Sequence, residues 1–239
     1  MISRVTSKSI GQLVSGCRNM EKMDYKLQKW LHWIEIIKGE VQDLVVAKHT
    51  FHEVQGMIRD NPHLHQHSSF YNYLARTYVS HVVIGIRRQI KCDNQSISMT
   101  RLFKEMIDSP QTLPRIYYTA KYMGSVVESL ADRDFDKFAV PGGPHIDPNL
   151  ISSDRANLQA ASKCCEDFAD KRIAHRDTRE PKELTTFNEV DACIDLLDEL
   201  YVKYHLLFHA GAMDTLLPTW QYDWKTIFRV PWLPPSENN

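Results

Sequence analysis

From Met20 to Ile58 the apolar residues Met20, Met23, Leu27, Trp30, Ile34, Ile37, Val41, Leu44, Phe51, Val54 and Ile58 recur at alternating threes and fours, interrupted by Lys48. That spacing keeps one apolar stripe on one face and predicts a helix over residues 20–60. At 1.5 Å per residue it would run about 60 Å, longer than a small domain is wide. Gly39 is a place for a kink or split, and Asn61–Pro62 ends the helix. An overlong seam predicts either a dimer contact or a spine for the other helices.

A second helix is expected from Phe70 to about Ile90, with Leu74, Tyr78, Val82 and Ile86 on its inner face. After the polar turn Cys92–Gln95, Ser98 would cap a short helix burying Met99, Leu102, Phe103, Met106 and Ile107. Residues 113–138 read as helical but irregular, with a break around Asp132, and residues 140–148 as a Gly- and Pro-rich loop. Ser152 or Ser153 then caps a helix running through Leu158, Ala161, Cys165 and Phe168 to about His175. Thr186 with Glu189 forms a capping box for a last helix, whose inner face is Val190, Cys193, Ile194, Leu197, Leu200, Tyr201, Tyr204 and Phe208, closed by Gly211. Trp220, Trp224 and Phe228 follow at spacing four, so residues 212–239 are expected to wrap back onto the body. No segment alternates for long with strand period. The expectation is one all-α domain over residues 1–239, with a bundle over 70–210.

Composition narrows the class without naming an activity. The chain has 239 residues, 43% hydrophobic and 25% charged, an ordinary globular balance. Only 9 residues are glycine, which argues against a glycine-rich phosphate loop. With 29 basic and 30 acidic residues the net charge is -1, so any nucleic-acid contact must rest on a local basic patch. The first 25 residues hold no apolar core of the ~7–15 residues a secretory signal needs. No uncharged apolar run approaches the ~20 residues of a membrane span. The five cysteines have no CxxC spacing, and Cys164 and Cys165 are expected to be core thiols. A cytoplasmic protein without a membrane partner is expected.

Several residue groups could carry chemistry. His63, His65 and His67 alternate, but no cysteine or carboxylate at metal spacing accompanies them, and the segment reads as a solvated loop. His205 and His209 stand one turn apart beside core-like Tyr204 and Phe208, which favours stacking in a helix interface. No metal site and no cofactor are assigned. Between residues 87 and 104, Arg87, Arg88, Lys91, Arg101 and Lys104 face only Asp93, and paired arginines at a helix end can fork onto phosphate. In Asp170–Asp177, His175 is flanked by Arg172 and Arg176. A histidine titrating near neutrality can exchange a proton with a ribose hydroxyl, and a neighbouring arginine can hold the phosphate. The same histidine at a helix C-terminus would also suit the helix dipole.

The segment DKRIAHRD ahead of a capped helix resembles the signature of the HEPN superfamily. Residues 84–90 (IGIRRQI) with 96–102 (SISMTRL) resemble its abortive-infection branch. The likeness spans roughly residues 70–208. It implies an up-and-down helical bundle, a homodimer, and a toxin–antitoxin or phage-defence setting with an antitoxin or other protein partner. Active members are metal-independent endoribonucleases in which histidine and arginine of both subunits promote attack of the 2′-hydroxyl on the adjacent phosphate. The superfamily's motif is an arginine, four to six residues of spacing, then the histidine. Upstream of His175 those positions hold Asp170, Ala169 and Phe168. Arg76 with His81 and Arg59 with His65 do fit the spacing, about as many pairs as chance supplies.

The expectation is therefore an RNA-directed HEPN-like defence or toxin protein. His175 would be its acid/base, Arg172 and Arg176 its phosphate contacts, and Arg87, Arg88 and Arg101 would hold the strand. The alternative is a non-catalytic helical module that binds protein, RNA or nucleotide and lacks the family's arginine.

Overall fold

The computed structural model describes residues 7–169, 171 and 186–232, with side chains from residue 25 onward. Among these the secondary structure is helical, without a strand: α1 (Ser7–Asp60), α2 (Ser69–Ile90), α3 (Met99–Asp108), α4 (Arg115–Ala120), α5 (Ala131–Phe135), α6 (Pro148–Ala161), α7 (Lys163–Phe168) and α8 (Phe187–His209). The protein is an all-α bundle. No described helix is long and apolar enough to cross a membrane.

Helix α1 is the spine. Its 54 residues span about 80 Å. It passes unbroken through Gly39, where an added Cβ would meet nothing within 4 Å, so no packing demand bends the chain there. The stripe residues Trp30, Ile34, Ile37, Val41 and Leu44 are buried against α8, α2 and α3. Trp30 is fully buried, and its indole N–H donates to Glu105 on α3 at 3.0 Å. Asn61 ends the helix by accepting from the His63 amide at 3.1 Å.

Helix α2 is capped by Ser68, whose hydroxyl accepts from the Phe70 amide at 3.2 Å. Tyr78, Val82 and Ile86 are buried as their spacing requires. Gly85 lets α1 and α2 approach closely: a Cβ there would lie 2.5 Å from Leu44 Cδ2. The turn to α3 is knit by Asp93, which accepts from the amides of Gln95 at 2.9 Å and Ser96 at 2.8 Å. Ser98 caps α3, and Met99, Leu102, Phe103 and Met106 are buried.

Three boundaries differ from those expected, each for a local reason. The cap of α6 is Asp147, not Ser152 or Ser153: its carboxylate accepts from the Asn149 amide at 2.8 Å, and Pro148 supplies a preset φ at the first helical position. The expected helix breaks at Ser162, whose buried hydroxyl donates back to the Leu158 carbonyl at 2.6 Å, and its expected end at His175 lies outside the described residues. In residues 113–138 the interruption lies before Asp132, with Gly124 at φ 74°, and Asp132 sits inside α5. Arg115 holds this region to the following loop, donating to the Gly143 carbonyl at 2.8 Å and Asp132 at 2.9 Å, and pairing with Asp136.

Helix α8 opens on the expected capping box, with Thr186 N–H to Glu189 at 2.7 Å and Glu189 N–H to Thr186 at 3.2 Å. All eight expected inner-face residues are buried. Its left-handed terminal residue is Ala210 at φ 55°, one position before Gly211. The last described segment returns to the body. Leu216 is buried between α1 and α8: its amide donates to Asp198 at 2.8 Å, and its carbonyl accepts from Gln42 at 3.0 Å. Trp220 stacks on His49 at 5.0 Å, and Lys225 pairs with Glu53.

Candidate functional site

His175, Arg172 and Arg176 lie outside the described residues. The three arginines expected to hold phosphate have separate fates. Arg101 is an internal strut, with its side chain 16% exposed. It donates to the carbonyls of Asp93 at 2.6 Å and Ser96 at 3.2 Å, lies 3.6 Å from Glu105, and rests on the Trp33 ring. Arg87 is half-buried and engaged within the fold. Only Arg88 is exposed, with its Nε 3.7 Å from Glu40. Adjacent helix positions leave the axis about 100° apart, so Arg87 and Arg88 do not form one fork.

Arg88 belongs to a longer feature. The outer face of α2 forms a broad shallow groove of about 920 Å³, lined by Asn72, Tyr73, Arg76, Thr77, Ser80, His81, Ile84 and Arg88, with Ser69 at one end. Tyr73, Arg76, Ser80, His81 and Arg88 are exposed. From Tyr73 to Arg88 the face is about 22 Å long at helical rise. No carboxylate is among the lining residues, which offer two guanidinium groups, an imidazole, an amide and several hydroxyls. Such a donor-rich surface suits a polyanion. Exposed Tyr73, one turn from Arg76, adds a ring on which a base could stack.

The two arginine–histidine pairs with four- or five-residue spacing are also told apart. Arg59 and His65 close the end of α1: His65 Nε2 is 3.0 Å from the Arg59 carbonyl, and Arg59 lies 3.4 Å from Asp60. Arg76 and His81 instead share the open groove. Along the α1–α2 boundary the groove adjoins an apolar furrow of about 460 Å³, where Val46, Ala47 and Val54 face Leu74, Thr77 and His81.

One polar junction escapes sequence reasoning. Asp191 on α8 accepts from the Tyr78 hydroxyl at 2.7 Å and lies 2.6 Å from His52 Nε2. Tyr78 stacks face to face on Phe51, with centroids 4.1 Å apart. Burial, followed by the hydrogen bond to Asp191, pushes the Tyr78 hydroxyl far above its ordinary range. Residues 52, 78 and 191 come from three helices, so no spacing announces them; the only sign is a polar residue beside each apolar stripe.

The remaining histidines have local tasks. His63, His65 and His67 are exposed on a turn. The rings of His205 and His209 lie 4.7 Å apart, tilted by 36°, with Tyr201 3.3 Å from His205 Nδ1 and Glu35 3.1 Å from His209 Nε2. Burial holds both imidazoles below the usual histidine range; the neighbouring His209 adds to this at His205, while Glu35 works against it at His209. Among the described residues, no three His, Cys, Asp or Glu side chains are placed to share a metal ion. No family model matches the chain, and no curated protein or solved structure matches it either.

Proposed function

We propose that the protein is an RNA-directed helical protein of the HEPN-like defence or toxin type, and that the outer face of α2 is the surface that receives the RNA strand. The observation that carries this is the groove whose lining holds Arg76, His81 and Arg88, with Glu40 3.7 Å from Arg88 Nε as a carboxylate at its end. In a chain of net charge -1, cationic side chains gathered on one face, exposed among the described residues, give the local field that global charge does not. Guanidinium groups of Arg76 and Arg88 hold phosphates, Tyr73 stacks a base, and Thr77 and Ser80 offer hydroxyls to phosphate or ribose.

For cleavage, the resemblance assigns the acid/base to His175, with Arg172 and Arg176 as phosphate contacts. His81 in the groove is a second histidine with access to a bound strand. Attack by the 2′-hydroxyl needs only a proton acceptor, a proton donor and a cation on the phosphate, all of which histidine and arginine supply. The same reading takes the chain as a homodimer.

The test is binding of a fluorescent single-stranded RNA by anisotropy at two salt concentrations. The Arg76→Ala/Arg88→Ala variant should bind at least tenfold more weakly and show a shallower salt dependence, by about one to two units of slope. Unchanged affinity in that variant, or no RNA binding by the wild type, overturns the assignment and leaves a protein- or nucleotide-binding module.

A further inference from the structure

Helices α6, α7 and α8 meet at three sulfur atoms. Cys164 Sγ lies 4.0 Å from Cys165 Sγ, which lies 4.0 Å from Cys193 Sγ. The break at Ser162 explains the gathering. It ends α6 at Ala161, whose carbonyl is taken up by thiols: Cys193 donates to it at 3.0 Å, and Cys164 approaches it at 3.8 Å. Cys165 and Cys193 are buried, whereas Cys164 is half-buried and lines a surface cavity of about 560 Å³ with Lys163, Asp167 and Glu189. One sulfur is therefore reachable from solvent, and two stand in line behind it.

We propose that these three cysteines form a peroxide-responsive relay that ends in a Cys165–Cys193 disulfide joining α7 to α8. The Cys164 sulfur, having released its proton, attacks one oxygen of hydrogen peroxide. An S–O bond forms, the O–O bond breaks, and hydroxide leaves to become water. The Cys165 sulfur then attacks Cys164 Sγ, forming S–S and breaking S–O; hydroxide leaves and takes up the Cys165 proton. Last, Cys193 attacks Cys165 Sγ, and the Cys164–Cys165 bond breaks to release Cys164, which takes the Cys193 proton. Two thiols and one peroxide become one disulfide and two waters. The intermediate between adjacent residues closes a strained small ring, so exchange to Cys193 runs downhill. The last step joins two sulfurs that already stand 4.0 Å apart, so it needs little movement of α7 against α8. Burial holds the Cys164 thiol above its usual range, so the first step is slow at neutral pH and speeds up as pH rises.

The experiment treats the full chain with a small excess of hydrogen peroxide at pH 7 and pH 8.5, alkylates remaining thiols, digests with trypsin and reads the peptides by mass spectrometry. The expected product links the peptide 164–171 to the peptide 183–203, with Cys164 alkylated, and it forms faster at pH 8.5. In Cys164→Ala its formation should slow at least tenfold. In Cys193→Ala the Cys164–Cys165 disulfide, or a sulfenic acid at Cys164 trapped by dimedone, should accumulate. Circular dichroism establishes that each variant is helical before it is scored. A linked peptide that forms equally fast in Cys164→Ala, or no linkage while Cys17 and Cys92 oxidise, overturns the relay.

Discussion

The hydroxyl of Tyr78 donates to Asp191 at 2.7 Å, joining the middle of α2 to the first turns of α8. Tyr78→Phe keeps the ring on Phe51 but leaves one Asp191 oxygen without this donor. The expected loss is about 1–2 kcal/mol in urea unfolding. A loss below a few tenths would mean that water replaces the hydroxyl freely.

Gly85 marks the closest approach of α1 and α2, since an added Cβ would lie 2.5 Å from Leu44 Cδ2. Leu44 is itself buried and has little room to move. Gly85→Ala should therefore destabilise by about 1–3 kcal/mol, despite alanine's better helix propensity. Trimming the partner in Gly85→Ala/Leu44→Val should recover part of that loss in the same unfolding measurement.

Ala210 ends α8 at φ 55°, where a Cβ is unfavourable. Ala210→Gly relieves that cost at the expense of a more flexible unfolded chain, for a net gain of about 0.5–1 kcal/mol. A rise in Tm is the readout; a fall would mean that the left-handed turn is not the one that persists in solution.

His205 and His209 are both held below the ordinary histidine value of 6.5 by burial. Between their native values and 6.5 the unfolded chain binds protons that the native chain does not. Acidification through that window therefore favours unfolding, and stability rises with pH across it. Tm measured from pH 7.5 down to 5 should fall, and His205→Gln should flatten the slope. The groups facing the pair are Glu35 and Lys38 of α1, Lys121 and Tyr201.

Helix content was readable where a periodic stripe and a chemical cap agree. Trp30 to Leu44, the Ser98 cap and the Thr186–Glu189 box all stand where spacing puts them, because each depends on neighbours within one or two turns. Reading failed where one hydrogen bond decides a boundary. Ser162 bonds back to Leu158 and breaks a helix that periodicity would carry on, and Asp147–Pro148 starts α6 a turn before the serines. The candidate site was legible only as a basic cluster. Arg101 carried the same charge in the sequence as Arg88, but α3 turns it onto Trp33 and two loop carbonyls. Arg76 and His81 match a spacing that chance also supplies, and what distinguishes them is that they line an open groove.

Whether the outer face of α2 receives RNA is decided by photo-cross-linking a 4-thiouridine-labelled single-stranded RNA to the protein and mapping the modified peptides. Cross-links should concentrate on α2 between Tyr73 and Arg88, and should fade in Arg76→Ala/Arg88→Ala. Cross-links confined to the exposed aromatics Tyr222, Phe228 and Trp232, or none at all, would contradict it.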